Sequence, residues 1–291
     1  MQAQEHPLDA AVQGAASELA KLGVPTTGAL LLLATGLGTL PSKLRHAGSV
    51  KLGRAKHVPG AWKEATLHWG ELNGLACWLL EDAPGPADEG GREQPGAAAW
   101  VRAFPVWLAK LAGARHLIHV SAATALPEAG KPLSLLGSLV VAEDHINLSG
   151  GTPLHALSGS TLGPLFPAVS TLHDSVLRPA LLTEAKRQGI PLEPAVVACV
   201  AGPSMSTPAE RRWWRTAGAS VAIQDLTPPL LAAAHAGLSV VALSAVVDAG
   251  SDDIPTVLLR AERAVPQIEE LVWAFAPHVA KAVAAAERDE A

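Results

Sequence analysis

The chain has little cysteine: Cys77 and Cys199 are the two in 291 residues. Two thiols exclude a disulfide framework and a cysteine-ligated metal centre. Although 49% of the residues are hydrophobic, no uncharged apolar run reaches the ~18 residues that a membrane span needs. A basic excess is missing too. The 22 Lys and Arg against 27 Asp and Glu leave a net charge of -5, and the scattered cations argue against a nucleic-acid-binding surface. Met1 to His6 lacks the basic-then-apolar layout of a secretion signal, so a cytoplasmic location is expected. No repeat, low-complexity stretch or convincing linker appears, and a single domain over residues 1–291 is the simplest reading. What the chain does have is turn formers, 26 glycines and 23 prolines, suited to a fold with many tight connections.

Apolar residues at helical spacing, Leu8, Val12, Ala15, Leu19 and Leu22, predict an amphipathic first helix from about Pro7 to Leu22. Ala29 to Ala34 reads as a short strand running into Thr35-Gly36-Leu37-Gly38-Thr39-Leu40. Glycines there let backbone amides approach an anion, and Thr35 adds a hydroxyl. The alternating run around Asn73-Gly74 predicts a hairpin. Residues 81–96 carry five carboxylates and one cation, Arg92, and read as a solvated loop. Trp100 to Ala112 reads as a helix stopped by Gly113, His116 to Val120 and Gly137 to Ala142 as strands, and Thr171 to Arg187 as a helix. His145 has no second ligand at a helpful spacing, so it is read as structural and no metal site is expected. Val221 to Asp225 reads as a strand, Pro228 to Ala236 as a helix closed by Gly237, and the β-branched run Leu238 to Val247 as a strand buried on both faces. Ile268, Leu271, Val272, Phe275, Val279 and Val283 form the stripe of a last helix, with Pro266 near its start. This alternation predicts an α/β fold, a mixed central sheet flanked by helices.

The most informative stretch is Val200-Ala201-Gly202-Pro203-Ser204-Met205-Ser206-Thr207-Pro208-Ala209-Glu210. An apolar run, Ala195 to Ala201, reads as a buried strand, Gly202-Pro203 breaks it, and Ser206 or Thr207 caps a helix that Pro208 opens. This strand, hinge and helix start resembles the purine-binding segment of the trimeric purine nucleoside phosphorylases and their methylthioadenosine-cleaving relatives. The Thr35 loop, the hairpin, Ser121-Ala122-Ala123-Thr124-Ala125-Leu126 and the pentapeptide Asp144-His145-Ile146-Asn147-Leu148 resemble the same family, in the same order, from roughly Leu30 to Val283.

The resemblance implies a homotrimer that binds a purine nucleoside and needs no cofactor, inorganic phosphate being a co-substrate. It implies that Ala122, Met205, Ser206 and Asp248 face the purine, Gln224 the sugar, and Thr35 and Ala122 the phosphate, with Arg92 or another cation supplying positive charge. Ser206 stands where relatives preferring 6-oxopurines have Glu, and Asp248 where they have Asn. The methylthioadenosine relatives resemble this chain at both positions, but their second Asp corresponds to Gly250. Asp248 is therefore expected to accept from a 6-amino group and, when protonated, to donate to N7, while the Ser206 hydroxyl donates to N1. A turn-capping role is the plain alternative for Asp248. The family's Arg and His loop has no counterpart in residues 81–96. Asp225 replaces a hydroxyl near phosphate and reverses the local field, and Glu262 replaces a sugar-binding His. Three readings stay open: a divergent phosphorylase, a nucleoside hydrolase using Asp225 or Asp248 with water, and a non-catalytic relative.

Overall fold

The computed structural model describes residues 6–33, 39–81, 99–126, 135–155, 157–250 and 252–289. Helix α1 (Pro7–Lys21) opens under a cap from His6, whose Nδ1 accepts the Leu8 amide, and it buries Leu8, Val12, Ala15 and Leu19. Each large apolar side chain so buried contributes about 1.5–3 kcal/mol. Strand β1 (Ala29–Leu33) is buried along its whole length. Strands β2 (Arg45–Lys51), β3 (Thr66–Leu72) and β4 (Leu75–Glu81) form an antiparallel meander. The β3–β4 turn is the expected Asn73-Gly74 pair, both at positive φ (46° and 89°), the conformation a two-residue hairpin requires.

A 3-10 turn, Ala99–Ala103, leads into α2 (Phe104–Leu111). The expected helix from Trp100 is thus shorter, because Pro105 sits in its first turn and has no N–H to continue a helix backwards. Strands β5 (His116–Ala125) and β6 (Leu139–Asn147) are both longer than their apolar cores suggest. β6 takes in most of the pentapeptide, and its pairing with β7 shifts register between Ala142 and Asp144. Helix α3 begins at Leu177 and runs to Gln188, so the expectation of a helix from Thr171 is corrected. His173 forms a parallel bridge to Val240 instead, through Asp174 N–H to Val240 O and Val240 N–H to Leu172 O at 2.9 Å each. Then follow β7 (Leu192–Val200), α4 (Pro208–Thr216), β8 (Val221–Gln224), α5 (Thr227–Ala236), β9 (Ser239–Asp248) and α6 (Ile254–Asp289). Helix α6 starts well before the expected stripe and carries Pro266 and Pro277 inside it.

The strands run β2-β3-β4-β1-β5-β8-β7-β6-β9, and β5 also pairs with β9. The second half of the sheet therefore closes into a ring, β5-β8-β7-β6-β9, while β1 to β4 form an open wing. Strand β5 is the seam. It runs parallel to β9 from His116↔Ser239 to Ala123↔Val246, slips register, and at Thr124 faces Asp248 on one side and Ala222 of β8 on the other. β9 is buried on both faces, as its composition predicts. One apolar cluster holds α1, α2 and α5 against the sheet, a second holds α3 and α6 against its other side. This is the mixed α/β architecture expected from the sequence.

Candidate active site

The hinge after β7 is held as the sequence suggests, and the alternative between its two caps is resolved. Thr207 Oγ1 accepts from the Glu210 amide (3.2 Å) and Glu210 Oε2 accepts from the Thr207 amide (2.7 Å), a reciprocal capping box. Such a box satisfies two helix-end donors at once, and Ser206 is left out of it. What Ser206 meets instead is Arg211, one turn into α4. The Arg211 Nη1 donates to Ser206 O at 2.5 Å and lies 3.4 Å from Ser206 Oγ. Arg211 is buried, and no carboxylate pairs with it among the described residues. Its guanidinium reaches the turn after β9: a Cβ placed on Gly250 would lie 2.4 Å from Arg211 Nε. Gly250 also has φ +81°. Only glycine meets both demands cheaply.

Asp248 ends β9, 3% exposed. Its Oδ2 accepts from Thr124 Oγ1 at 2.8 Å and its Oδ1 from the Gly250 amide at 2.6 Å. The carboxylate thus caps the turn and also remains an acceptor with further lone pairs. Beyond it, Arg260 of α6 donates to Val247 O (3.1 Å) and pairs with Asp252, which in turn accepts from the Ala249 amide at 2.7 Å. Ser206 and Asp248 follow β7 and β9, which are not neighbours, since β6 lies between them. Arg211 reaches from Ser206 to Gly250, two residues beyond Asp248.

On the other side of the hinge, Gln224 Nε2 donates to Ser204 O (3.0 Å), and Val200 O accepts from the Asp225 amide (2.9 Å). Gly202 is the close-approach residue here, because a Cβ on it would meet Gln224 Oε1 at 2.7 Å and Asp225 Oδ2 at 2.9 Å. Asp225 sits at φ +56°. Its carboxylate lies 3.5 Å from Arg102 Nη2, with the two side chains 43% and 42% exposed. The expected reversal of the field at Asp225 is therefore offset by a cation from the turn before α2, screened by water.

Ala122 lies exposed in β5 and Met205 is exposed in the hinge. Thr35 and Arg92 lie outside the described residues, as does nearly all of residues 81–96. Glu262 is exposed on α6. Cys77 and Cys199 supply no nucleophile, since burial pushes both thiols up to about 12 and the thiolate is the reactive form.

Three residues escape sequence reading: Arg211, Arg102 and Thr124. Arg211 had one signal, sharing a helix face with buried Trp214 three residues on. Thr124 and Arg102 are each far along the chain from the carboxylate they meet, Asp248 and Asp225.

Residues 57–277 match the Phosphorylase superfamily. The chain belongs to that family. Purine nucleoside phosphorylase 1 of Bacillus subtilis is 29% identical over 256 residues, 88% of this chain and 90% of that one. Purine nucleoside phosphorylase 1 of Geobacillus stearothermophilus is 29% identical over 237 residues, 79% and 82% of the two chains. A Schistosoma purine nucleoside phosphorylase, solved in complex with hypoxanthine, superposes with a TM-score of 0.78 at 24% identity, covering 91% of this chain and 95% of that one. At that identity the superposition carries the fold.

Proposed function

We propose that the chain is a divergent purine nucleoside phosphorylase that prefers 6-aminopurine nucleosides. The carrying observation is the polarity around the hinge. A buried acceptor, Asp248, ends β9, while donors, Arg211 and the Ser206 hydroxyl, meet at the start of α4. Adenine offers a donor at its 6-amino group and an acceptor at N1, and a 6-oxopurine offers the reverse. Asp248 accepts from the amino group and, when protonated, delivers a proton to N7 as the base leaves. Met205 and Ala122 line the purine, and Gln224 takes sugar hydroxyls. Phosphate, the co-substrate, is held by Thr35 and the Ala122 backbone with Arg92, and Arg102 supplies further positive charge close by. Its oxygen bonds to C1′ as the N-glycosidic bond breaks, giving free base and sugar 1-phosphate. Holding an anion beneath the sugar cation stabilises the transition state more than the ground state. A cytoplasmic homotrimer completes the reading. Among the described residues no helix is long and apolar enough to cross a membrane.

The test is release of base from adenosine, methylthioadenosine and inosine, with and without phosphate. Phosphate-dependent release favouring the adenine nucleosides is expected, by about tenfold or more, because each mismatched buried polar group costs about 1–3 kcal/mol. Asp248→Asn is expected to move the preference toward inosine. Faster turnover of inosine by the unaltered protein sinks the polarity argument, and phosphate-independent release identifies a hydrolase.

One observation favours a second reading, a non-catalytic relative: the Arg211 side chain is buried against Ser206 and Gly250 and fills space there. No release from any nucleoside by the unaltered protein, with nucleoside binding gained in Arg211→Ala, identifies it.

A further inference from the structure

Away from the hinge, one group of side chains among the described residues has the spacing of a metal site. The ligand atoms of Asp144, His145 and His173 all lie within 4.8 Å of one another. Sequence reading set His145 aside for want of a second ligand. The second ligand is 28 residues away, carried in by the same bridge that keeps residues before Leu177 out of a helix. His145 Nδ1 and His173 Nε2 are 2.9 Å apart, with the rings at 66°.

We propose that Asp144, His145 and His173 form a binding site for a divalent transition-metal ion, a two-histidine, one-carboxylate set whose remaining positions are open to water.

Four observations carry this. The first is rigidity. His173 is fixed by the pair of backbone hydrogen bonds to Val240, and Asp144 and His145 lie in β6 just beyond its register shift. Shifts of this kind re-aim side chains. The second is the state of the donor atoms. Asp144 Oδ1 is taken by the His145 amide at 2.8 Å, while its Oδ2 has no hydrogen-bond partner among the described residues. The third is His173 itself, buried, with no partner for its Nδ1. A buried imidazole whose only polar contact is another imidazole is poorly satisfied by hydrogen bonding alone. A metal on Nε2 leaves Nδ1 to carry the proton. The fourth is geometry. With metal–nitrogen bonds of about 2.0–2.1 Å, two nitrogens 2.9 Å apart subtend about 90° at the ion. That is a cis pair of a square-planar or octahedral ion, and tetrahedral zinc requires the rings to open slightly.

Access follows from burial, which grades from buried His173 through half-buried His145 to exposed Asp144. The charges around the site are mixed: Glu143 is exposed beside Asp144, and Arg178 donates to Glu143 O at 3.3 Å. The proton balance closes without an outside acid or base. In the free protein one proton lies between the two rings; on binding, His145 carries its proton on Nε2 and both facing lone pairs go to the metal. Asp144 binds as the carboxylate. The proposal is independent of the catalytic reading, since none of these residues belongs to the hinge or to the turn after β9.

The test uses the full chain, freed of any affinity tag and treated with a chelator. Titration with Ni²⁺ by calorimetry is expected to give one saturable site per chain. Ni²⁺ is also expected to raise the thermal midpoint, because an ion held by the folded state alone stabilises it. His145→Ala and Asp144→Asn, both at accessible positions, are expected to keep the fold and to weaken Ni²⁺ binding by at least about tenfold, the lower end of what even outer-shell changes cost. Mg²⁺, which prefers oxygen ligands, is expected to give no heat at this site. Absence of saturable Ni²⁺ binding, or binding unchanged in both variants, overturns the proposal and leaves the two rings as a hydrogen-bonded pair.

Discussion

Asp248 and Asp225 stand at the ends of β9 and β8, the two strands that flank β5 in the ring, and they live under opposite conditions. Asp248 is 3% exposed and held by two donors of its own protein. Asp225 is 43% exposed and faces one cation at 3.5 Å. A buried carboxylate with fixed donors has one geometry, and its removal leaves those donors without a partner. A half-exposed ion pair has many geometries, and water replaces either member. The Asp248 side of the hinge is thus preorganised, whereas the Asp225 side is tuned by solvent and salt; on the proposed reading these are the purine end and the sugar and phosphate end.

Replacing each carboxylate by alanine breaks this comparison most directly. Asp248→Ala is expected to lower stability by about 2–3 kcal/mol, because the Thr124 hydroxyl and the Gly250 amide lose their acceptor in a closed setting. Asp225→Ala is expected to stay within about 0.5 kcal/mol. Urea unfolding of the two variants measures both; equal losses remove the distinction.

Gly250→Ala probes the Asp248 side, the purine end of the proposed reading, from the turn after β9. The new methyl meets Arg211 and sits at positive φ, so a loss of about 1–3 kcal/mol is expected. Purine binding should weaken with it, since Arg211 is displaced from Ser206. Calorimetry on a folded variant that binds purine as before places Arg211 outside the recognition surface.

Acid sharpens the contrast between enclosed and open polar groups. His235 is buried, and its Nδ1 accepts from Trp107 Nε1 at 3.0 Å. Burial lowers its pKa, the nearby Asp9 partly opposing and His6 reinforcing that shift. The folded state therefore binds this proton less readily than the unfolded chain, whose histidines titrate near about 6.5. Its stability contribution is present above that value and is lost as pH falls below it. Unfolding midpoints at neutral and mildly acid pH are expected to differ less in His235→Gln than in the unaltered protein. An equal difference shows that other groups dominate.

The smallest effect belongs to Arg102. Arg102→Ala is expected to leave stability within about 0.5 kcal/mol while removing part of the salt dependence of phosphate use. Phosphate titrations at low and high ionic strength read this, and an unchanged salt dependence detaches Arg102 from the anion's path.

The same contrast explains what the sequence discloses. Features made by neighbours in the chain were legible: the Asn73-Gly74 hairpin, the hinge with its capped helix, the Gly237 stop and the alternation of layers. Each rests on backbone preferences that a few adjacent residues set. Features made by distant pairs were not. Residues from Thr171 read as helix because their apolar spacing is compatible with one, yet the bridge to Val240 outcompetes a marginal first turn. Nothing near Arg211 in sequence, beyond the helix face it shares with Trp214, announces that it is buried, and its room comes in part from the missing side chain at Gly250. His145 lacks a second ligand in sequence and acquires one through the path of the chain before α3. Nor does local sequence reveal that β5 pairs on three sides, with β1, β9 and β8.

That seam has a consequence for descent. At Thr124 the strand slips register against β9 and takes β8 as its other neighbour, and this change of partners is fixed by the backbone pairing of the wing and the ring. Side chains around it set the local polarity; they do not set the path of the strands. A lineage can therefore exchange cations, hydroxyls and carboxylates at this spot without dismantling the architecture, and a junction shaped by topology outlasts any one set of side chains placed on it.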